Sequence, residues 1–424
     1  MNKKFVFVLM FTLLLLVSMS AFAKDVTLRV TWWGSQNRHD RTLEAIKIFE
    51  KQNPGIKIEA EFLGWGGYWE NIAAQAAGGN LPDIWQQDYS YITMYANRGL
   101  LLDLNPYVES GHLDLSYVAN SAIAGGIVDG SLYGISLGQN AMTVAYDPDI
   151  FAEAGIKEPT ADWTWEDYIN IVETIHDKLG IYGDSGLPYG GDRGFQYYLR
   201  QHGKDLYNET GDGLGYEDDK YFIDYFKMDY DLVKKGAFAP IDIRTELGSL
   251  GPEVKLINDK EAAMESSLYS NQLVALESAA GRKFKFITPP KDKNQIQDGL
   301  YLKPSMFFSV TKYTEHPEEA VKFIDFFTNS LEANKVLHAE RGVPISSKIR
   351  EDLSPYLGDI QQRTFDYIDL ASKHSTKISP PEPEQVSKVV DLMSRLHSQL
   401  LFDLISVEEA AEDFRAEATE ILSK

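Results

Sequence analysis

The chain has 424 residues, no cysteine and a formal net charge of −22 at pH 7. This length predicts two or three domains, and their hydrophobic cores must stabilise them because no disulfide can form. The negative charge argues against nucleic acid as a partner, since binding to phosphates requires a basic face.

Residues 1–23 have the pattern of a secretory signal peptide. Lys3 and Lys4 form a basic start, Phe5–Val17 is an almost unbroken apolar run, and Ala21–Ala23 is a small-x-small cleavage site. An uncleaved anchor is the alternative, although the run is shorter than the about 20 apolar residues that span a bilayer. No cysteine is available to accept a lipid after the signal. We therefore expect a periplasmic protein, cleaved after Ala23 and not lipid-anchored.

The mature chain opens with a strand, a helix and a second strand. Thr27–Trp32 is β-branched and aromatic, Asp40–Glu50 repeats apolar residues at helical spacing, and Ile56–Leu63 is the second predicted strand. A helix over Tyr68–Ala77 and a third strand over Pro82–Trp85 follow. This alternation predicts an α/β lobe with a parallel sheet.

A second lobe is predicted to begin after two further strands within 129–146. Trp163–Glu166 then precedes a long amphipathic helix that reaches Lys178. Strand patterns stop after about residue 345, and helices are predicted over 385–404 and 408–423. The C-terminal portion should therefore be helical.

Eight short motifs occur in order along nearly the whole mature chain. They are Trp32–Gly34, Phe49–Lys57, Ala77–Ile84, Gly99–Leu104, Asp129–Ile135, Tyr146–Pro148, Trp163–Asp167 and Arg341–Pro344. In this order they resemble the solute-binding proteins of carbohydrate ABC importers, the group that includes the maltose-binding protein. The resemblance implies a two-lobed periplasmic binding protein fold, with crossing hinge strands, a sugar in the cleft and closure of the lobes around it.

The expected lobe boundaries follow from this resemblance and from glycines and prolines near 138–148 and 288–290, where we expect the chain to cross between lobes. The first α/β lobe is expected over residues 24–137 and 288–345. The second is expected over residues 138–287 and 346–424, with the C-terminal helices packed on it.

Aromatic residues beside strand ends are the first candidates for a sugar site, because flat rings cover the apolar face of a pyranose. Trp33 follows the first strand, and Trp65 and Tyr68 lie among glycines after the second, where a parallel strand's C-terminal end faces a cleft. We expect all three to contact ligand. The alternative is that Trp33, Trp65 and the nearby Trp69 fill the core.

Polar side chains could bind the hydroxyls or charges around a sugar's edge. The candidates are Arg38, Asp88, Gln139, Asn140, Arg193, Tyr269, Lys303 and Ser305. The resemblance places Asp88, Tyr269 and Lys303 in cleft loops, and the amides of Gln139 and Asn140 lie near the expected lobe crossing. The alternatives are a solvated loop for Asp88, a turn for Asn140, and surface ion pairs for the three cations.

The expected function is capture of an oligosaccharide and its delivery to a membrane permease, by a monomer without cofactor or metal. Trp32–Ser35, Arg38, Gly64–Trp65 and Gln75–Gly79 are similar to binding proteins of pectic oligosaccharide importers, which implies an acidic oligogalacturonide. Arg193, Lys303 and Arg38 would then supply the positive groups.

A neutral oligosaccharide is the alternative ligand. The alternative functions are a secreted polysaccharide-active enzyme and a chemosensory or structural protein. The absence of His-Glu-x-x-His, Gly-x-Ser-x-Gly and P-loop motifs from the sequence argues against the enzyme.

Overall fold

The computed structural model describes residues 25–248, 251–380, 382–383 and 385–424, so the predicted signal peptide lies outside the described residues. Within these ranges no helix combines the length and the apolar character that a bilayer crossing needs. The strands are β1 (Val26–Trp33), β2 (Ile56–Leu63), β3 (Ile84–Gln87), β4 (Ile127–Val128), β5 (Ser131–Leu132), β6 (Ile135–Ser136), β7 (Gln139–Asn140), β8 (Met142–Tyr146), β9 (Tyr182–Asp184), β10 (Ala262–Tyr269), β11 (Lys285–Ile287), β12 (Leu300–Tyr301), β13 (Lys303–Pro304), β14 (Phe307–Val310) and β15 (Ser375–Thr376). The α-helices are Gln36–Gln52, Trp65–Ala77, Tyr89–Asn97, Asn105–Glu109, Asn120–Ile123, Pro148–Glu153, Trp165–Leu179, Gly191–Gln201, Lys220–Lys234, Ile241–Gly248, Leu273–Ala280, Pro317–Asn329, Leu331–Leu337, Ser347–Leu353, Asp359–Lys373, Val386–Leu401 and Val407–Leu422.

The first lobe is built on a five-stranded sheet in the order β2-β1-β3-β14-β6. Strands β1, β2 and β3 are parallel, whereas β14 is antiparallel to both β3 and β6. The helix Gln36–Gln52 connects β1 to β2 and buries Ala45, Ile46 and Phe49 in the core. The predicted strand, helix, strand opening and the parallel sheet are confirmed.

The second lobe is built on a four-stranded sheet in the order β11-β8-β10-β9. The helix Trp165–Leu179 packs on this lobe and starts at a capping box, in which Asp167 accepts a hydrogen bond from the Thr164 backbone N at 2.8 Å. Its apolar stripe buries Tyr168 and Val172. The capping box fixes the start of the predicted amphipathic helix, Gly180 in the left-handed conformation ends it, and burial of the apolar stripe fixes which face packs on the lobe.

The C-terminal helices pack on the second lobe. The rings of Phe222 and Phe414 lie 5.3 Å apart, between the helices Lys220–Lys234 and Val407–Leu422. His397 Nε2 lies 2.6 Å from a carboxylate oxygen of the buried Asp229. These contacts attach the end of the chain to the lobe that also contains β8–β11.

The two lobes are joined by a short ribbon of two antiparallel strands. β7 leaves the first sheet after β6 and precedes β8 of the second sheet, and it pairs with β13 through Lys303↔Asn140 and Pro304↔Gln139. Gly138 is required there, because a Cβ atom on it would lie 2.3 Å from the Arg341 carbonyl oxygen. The boundary expected at residue 138 lies directly before β7 of this ribbon.

The second crossing lies later than the expected boundary at residue 288. Residues 288–299 remain bound to the second lobe, because Trp163 Nε1 donates to the Thr288 carbonyl at 2.8 Å and Arg200 Nε donates to the Gly299 carbonyl at 2.8 Å. The chain therefore returns to the first lobe through β12 and β13. The boundary at 288 was drawn at a proline pair, which ends β11 but does not leave the lobe.

The third crossing falls between two helices. Ser347 N donates to the Tyr117 carbonyl of the first lobe at 2.9 Å, whereas the Tyr367 hydroxyl donates to the Met142 carbonyl of the second lobe. The chain thus changes lobe between the helices Ser347–Leu353 and Asp359–Lys373, about ten residues beyond the expected boundary at 345.

Candidate functional site

A cavity of about 550 Å³ lies between the lobes beside the β7–β13 ribbon. This volume is within the range of about 300–1,000 Å³ that is usual for ligand sites. Arg38, Glu340 and Arg341 line it from the first lobe, Arg193 and Tyr269 line it from the second lobe, and Asn140, Lys303 and Ser305 line it at the ribbon.

A smaller cavity of about 270 Å³ continues the larger one. Both are lined by Arg193, Tyr269, Lys303 and Ser305, so together they form one groove. The smaller cavity adds the carboxylates of Asp88 and Glu382 and the ring of Tyr301. We call the larger and the smaller cavity together the interlobe groove.

Two cations and two tyrosines meet where the two cavities join. Lys303 Nζ lies 4.9 Å from the ring centre of Tyr269, and the Tyr269 hydroxyl is 3.3 Å from that of Tyr301. Burial, and then the Arg193 guanidinium, lower the pKa of the Lys303 ammonium. Tyr269 presents both a ring face and a hydroxyl here, which suits the apolar face and the polar edge of a sugar.

Arg38, Glu340 and Arg341 form the cationic end of the groove, in the first lobe. Arg38 Nε donates to both carboxylate oxygens of Glu340, at 2.8 and 3.0 Å. Arg341 is 4% exposed, and its Nε donates to the Gln86 side-chain oxygen at 3.1 Å. Burial, and then the charge of Arg38, lower the pKa of Arg341 to about 9. Arg341 therefore still carries its charge at neutral pH.

Arg341 was not among the predicted site residues, although its motif was part of the family resemblance. The available signal was an arginine next to a glycine in a segment that is otherwise apolar, Gly342-Val343-Pro344. What makes it part of the groove is its partner Gln86, which lies 255 residues away in the sequence. Local pattern carries no information about such a contact.

The two predicted amides have different positions. Asn140 lines the larger cavity, and its Oδ1 accepts no hydrogen bond from the described residues. Gln139 is buried in the ribbon and lines neither cavity, although its Oε1 likewise lacks a described donor. The expectation of ligand contact thus remains for Asn140 but not for Gln139 in this arrangement of the lobes.

Two of the three aromatic residues predicted to contact ligand are buried in the core. Tyr68 is 1% exposed and its hydroxyl donates to the Gln86 carbonyl at 2.6 Å, so the predicted ligand contact at Tyr68 is wrong. Trp33 is 7% exposed, with its ring centre 5.1 Å from that of Tyr68 and 5.0 Å from that of Trp65. Trp65 is 49% exposed, but neither it nor Trp33 lines the two cavities.

Asp88 and Ser305 each have a structural contact as well as a place in the groove. Asp88 caps the helix Tyr89–Asn97 by accepting a hydrogen bond from Ser90 N at 2.9 Å, and it lines the smaller cavity. The Ser305 hydroxyl donates to the Gly138 carbonyl at 3.0 Å, which holds it against the ribbon. Each still has an oxygen lone pair that a ligand hydroxyl could use.

The groove thus brings together most of the predicted site residues. Those that line it are Arg38, Asp88, Asn140, Arg193, Tyr269, Lys303 and Ser305. Those that do not are Trp33, Trp65, Tyr68 and Gln139. In the part of the chain that the structure describes, no group of three or more His, Asp or Glu side chains is arranged to hold a metal ion.

Residues 44–354 match the sequence profile of the bacterial extracellular solute-binding proteins, and the chain belongs to this family. It is 31% identical to an extracellular solute-binding protein of family 1 from Alicyclobacillus acidocaldarius, with a TM-score of 0.87 over 94% of this chain and 99% of that one. A periplasmic oligogalacturonide binding protein from Yersinia enterocolitica is 24% identical, with a TM-score of 0.77 over 94% and 99% of the two chains.

Curated relatives are more distant in sequence. A multiple sugar-binding protein of Streptococcus mutans is 21% identical over 82% of each chain. A putative binding protein of Brucella abortus is 24% identical, and the match spans only 40% of this chain and 41% of the relative. The two-lobed α/β fold that the motifs predicted is confirmed by the solved structures.

Proposed function

We propose that this protein is the substrate-binding component of an ABC importer, which captures an oligosaccharide in the interlobe groove and delivers it to a membrane permease. The observation that carries the proposal is the composition of the groove, in which Tyr269 and Tyr301 offer ring faces and Asn140 and Ser305 offer polar atoms at the hinge ribbon. Such a combination of flat apolar faces and convergent polar groups suits sugars.

We further propose that the sugar is acidic, of the oligogalacturonide class. Arg193 and Lys303 reach the groove from the second lobe and from the ribbon, in a protein whose formal net charge is −22. A carboxylated ligand is repelled by such a protein unless cations are concentrated at the binding site. A Yersinia enterocolitica structure with 25% identity is described in complex with saturated digalacturonic acid, which makes this sugar the first ligand to test.

The family is extracellular. We propose that the mature protein is periplasmic, cleaved after Ala23, not lipid-anchored and monomeric. We expect it to open and close about the β7–β13 ribbon, since a ligand that contacts both lobes stabilises the closed form.

A thermal-shift screen over acidic and neutral oligosaccharides tests the proposal. A ligand at 100 times its dissociation constant adds about 2.7 kcal/mol to the free energy of unfolding. Calorimetry and chromatography of the mixture follow for each ligand found. Reversible heat without new sugar products indicates a binding protein, whereas cleavage products indicate an enzyme. Stabilisation by neutral sugars alone would refute the acidic ligand and leave the binding function in place.

A further inference from the structure

We infer that Arg341 is the specificity-determining residue of the groove and that it binds the carboxylate of an acidic sugar at the groove's first-lobe end. The inference rests on the proposed function and deepens it, since it assigns the selection of charged over neutral sugars to one buried side chain.

Arg341 has unused donors at a fixed position. Its Nε is bound to Gln86, but neither terminal nitrogen donates to an acceptor among the described residues, even though the side chain is 96% buried and lines the larger cavity. The two terminal nitrogens of a guanidinium match the two oxygens of a carboxylate in a planar, bidentate pair. The free edge of Arg341 therefore has the chemistry of a carboxylate site.

The surrounding contacts hold that edge in place. Gln86 Nε2 donates to the Trp33 carbonyl at 3.1 Å, so Gln86 is itself oriented by β1. The Arg341 guanidinium lies 5.4 Å from the ring centre of Phe327, which packs on one of its faces. The backbone around it is fixed by Gln139 N, which donates to the Val343 carbonyl at 2.8 Å. A site that is ordered before binding loses little entropy when the ligand arrives.

The local charges leave this end of the groove positive. Glu340 is engaged by Arg38 at 2.8 Å, and its nearest oxygen is 3.9 Å from Arg341, which is beyond hydrogen-bond distance. Two guanidiniums thus share one carboxylate. A buried charge without a close partner is unfavourable, and an anionic ligand would supply that partner.

The two cavities differ in their balance of charge. Arg193 and Lys303 line both cavities, so the difference lies in the other charges. Among the described residues that line only the larger cavity, Arg38 and Arg341 face the single carboxylate of Glu340. In the smaller cavity Arg193 and Lys303 are matched by Asp88 and Glu382. A carboxylate on the ligand is therefore attracted to the Arg341 end more than to the smaller cavity.

The test compares two ligands on three variants. Calorimetry measures the affinity for trigalacturonic acid and for its carboxyl-reduced counterpart, the neutral galactotriose of the same linkage. Arg341→Met should weaken binding of the acid by about tenfold or more, because a charge-assisted bidentate pair is lost, and should change binding of the neutral sugar by less than about twofold. Arg395→Met removes a surface arginine that pairs with Glu417 and is the control for lost charge.

Glu340→Gln is expected to raise the affinity for the acidic sugar, an effect that a folding defect cannot produce. It keeps an acceptor for Arg38 but removes the only carboxylate among the described residues that line the larger cavity, so the affinity for trigalacturonic acid should rise several-fold while that for the neutral sugar stays unchanged. Equal losses for both sugars in Arg341→Met, or weaker acid binding in Glu340→Gln, would overturn the inference.

The outcomes also separate this inference from the proposed function. Binding of galactotriose without binding of trigalacturonic acid by the parent protein refutes the role of Arg341 and leaves the sugar-binding function standing. If no oligosaccharide of either class stabilises the parent protein, the proposed function fails and the inference fails with it.

Discussion

A buried carboxylate in the second lobe should make the protein less stable as the pH rises. Asp184 is fully buried, accepting hydrogen bonds from the Tyr168 hydroxyl at 2.9 Å and from Ser185 N at 2.7 Å. Burial, and then the nearby carboxylate of Glu265, raise the pKa of Asp184 from 3.8 to about 7. The folded state therefore holds a proton that the unfolded state has already lost between about pH 4 and pH 7.

The sign and size of the effect follow from this difference. Below pH 3.8 Asp184 is protonated in both states and imposes no penalty. As the pH rises to about 7 the unfolded state gains the advantage of ionisation, and about three pKa units correspond to about 4 kcal/mol of lost stability. Above the folded-state pKa the loss is complete and constant.

Urea unfolding of the parent and of Asp184→Asn between pH 4 and pH 8 measures this contribution. The asparagine cannot ionise, so the unfolding free energy of the parent minus that of the variant should fall by up to about 4 kcal/mol across this range. Asp231→Asn, at an exposed aspartate paired with Lys227, is the control for the change in net charge. Parallel curves for the parent and Asp184→Asn would refute the reasoning.

Four further predictions concern the groove and its aromatic neighbours. Trp65 lines neither cavity, so Trp65→Ala should leave the affinity for sugar unchanged in calorimetry and change the ligand-free stability little, and a loss of about 1 kcal/mol or more in binding would instead show that the exposed ring stacks on ligand. Tyr68→Ala should lower the free energy of unfolding by about 3–5 kcal/mol in urea titrations, because it empties a core position, and a loss under 1 kcal/mol would contradict that assignment. Lys303→Met should weaken binding of trigalacturonic acid by about 1.5–3 kcal/mol and flatten its dependence on salt, whereas an unchanged salt dependence would place the cation outside the contact. Small-angle scattering should show a smaller radius of gyration with a bound sugar than without it, and identical curves at saturation would contradict closure.

The parts of the fold that follow from local pattern were predictable from the sequence. The helix Gln36–Gln52 repeats apolar residues at helical spacing, and the helix Trp165–Leu179 carries its own capping box. The order of strands and helices then limits the topology to parallel α/β units. The motifs added the two-lobed arrangement, which periodicity alone does not specify.

The crossings were less predictable because their strands are short. β12 and β13 have two residues each, too few to show an alternating pattern. What identifies them is pairing with partners distant in the sequence, such as Pro304 with Gln139. The expected boundary at 288 was therefore placed at a visible proline pair instead of at the ribbon.

Trp65 and Tyr68 show that aromatic residues of one predicted segment can point in different directions in the fold. Trp65 and Tyr68 are three positions apart, and the sequence placed the loop before Tyr68. In the structure the helix begins at Trp65, as Tyr68 N donates to the Gly64 carbonyl at 3.1 Å. Tyr68 therefore turns towards the sheet and Trp65 towards solvent. The direction of each ring depends on where the helix begins. Gly66 and Gly67, which disfavour a helix, made that start hard to predict.

Groove residues in the β7–β13 ribbon and groove residues on the two lobes should contribute differently to ligand binding. Asn140 and Lys303 pair in the ribbon, which belongs to both lobes, so their contacts with a ligand are available whether the lobes are apart or together. Such contacts add affinity but do not favour closure, because only a difference in affinity between two states shifts their populations. Arg193 and Arg341 line the larger cavity from different lobes. On the proposed function, a ligand that binds both side chains at once binds the closed form better, so we expect these two arginines to contribute to closure of the lobes.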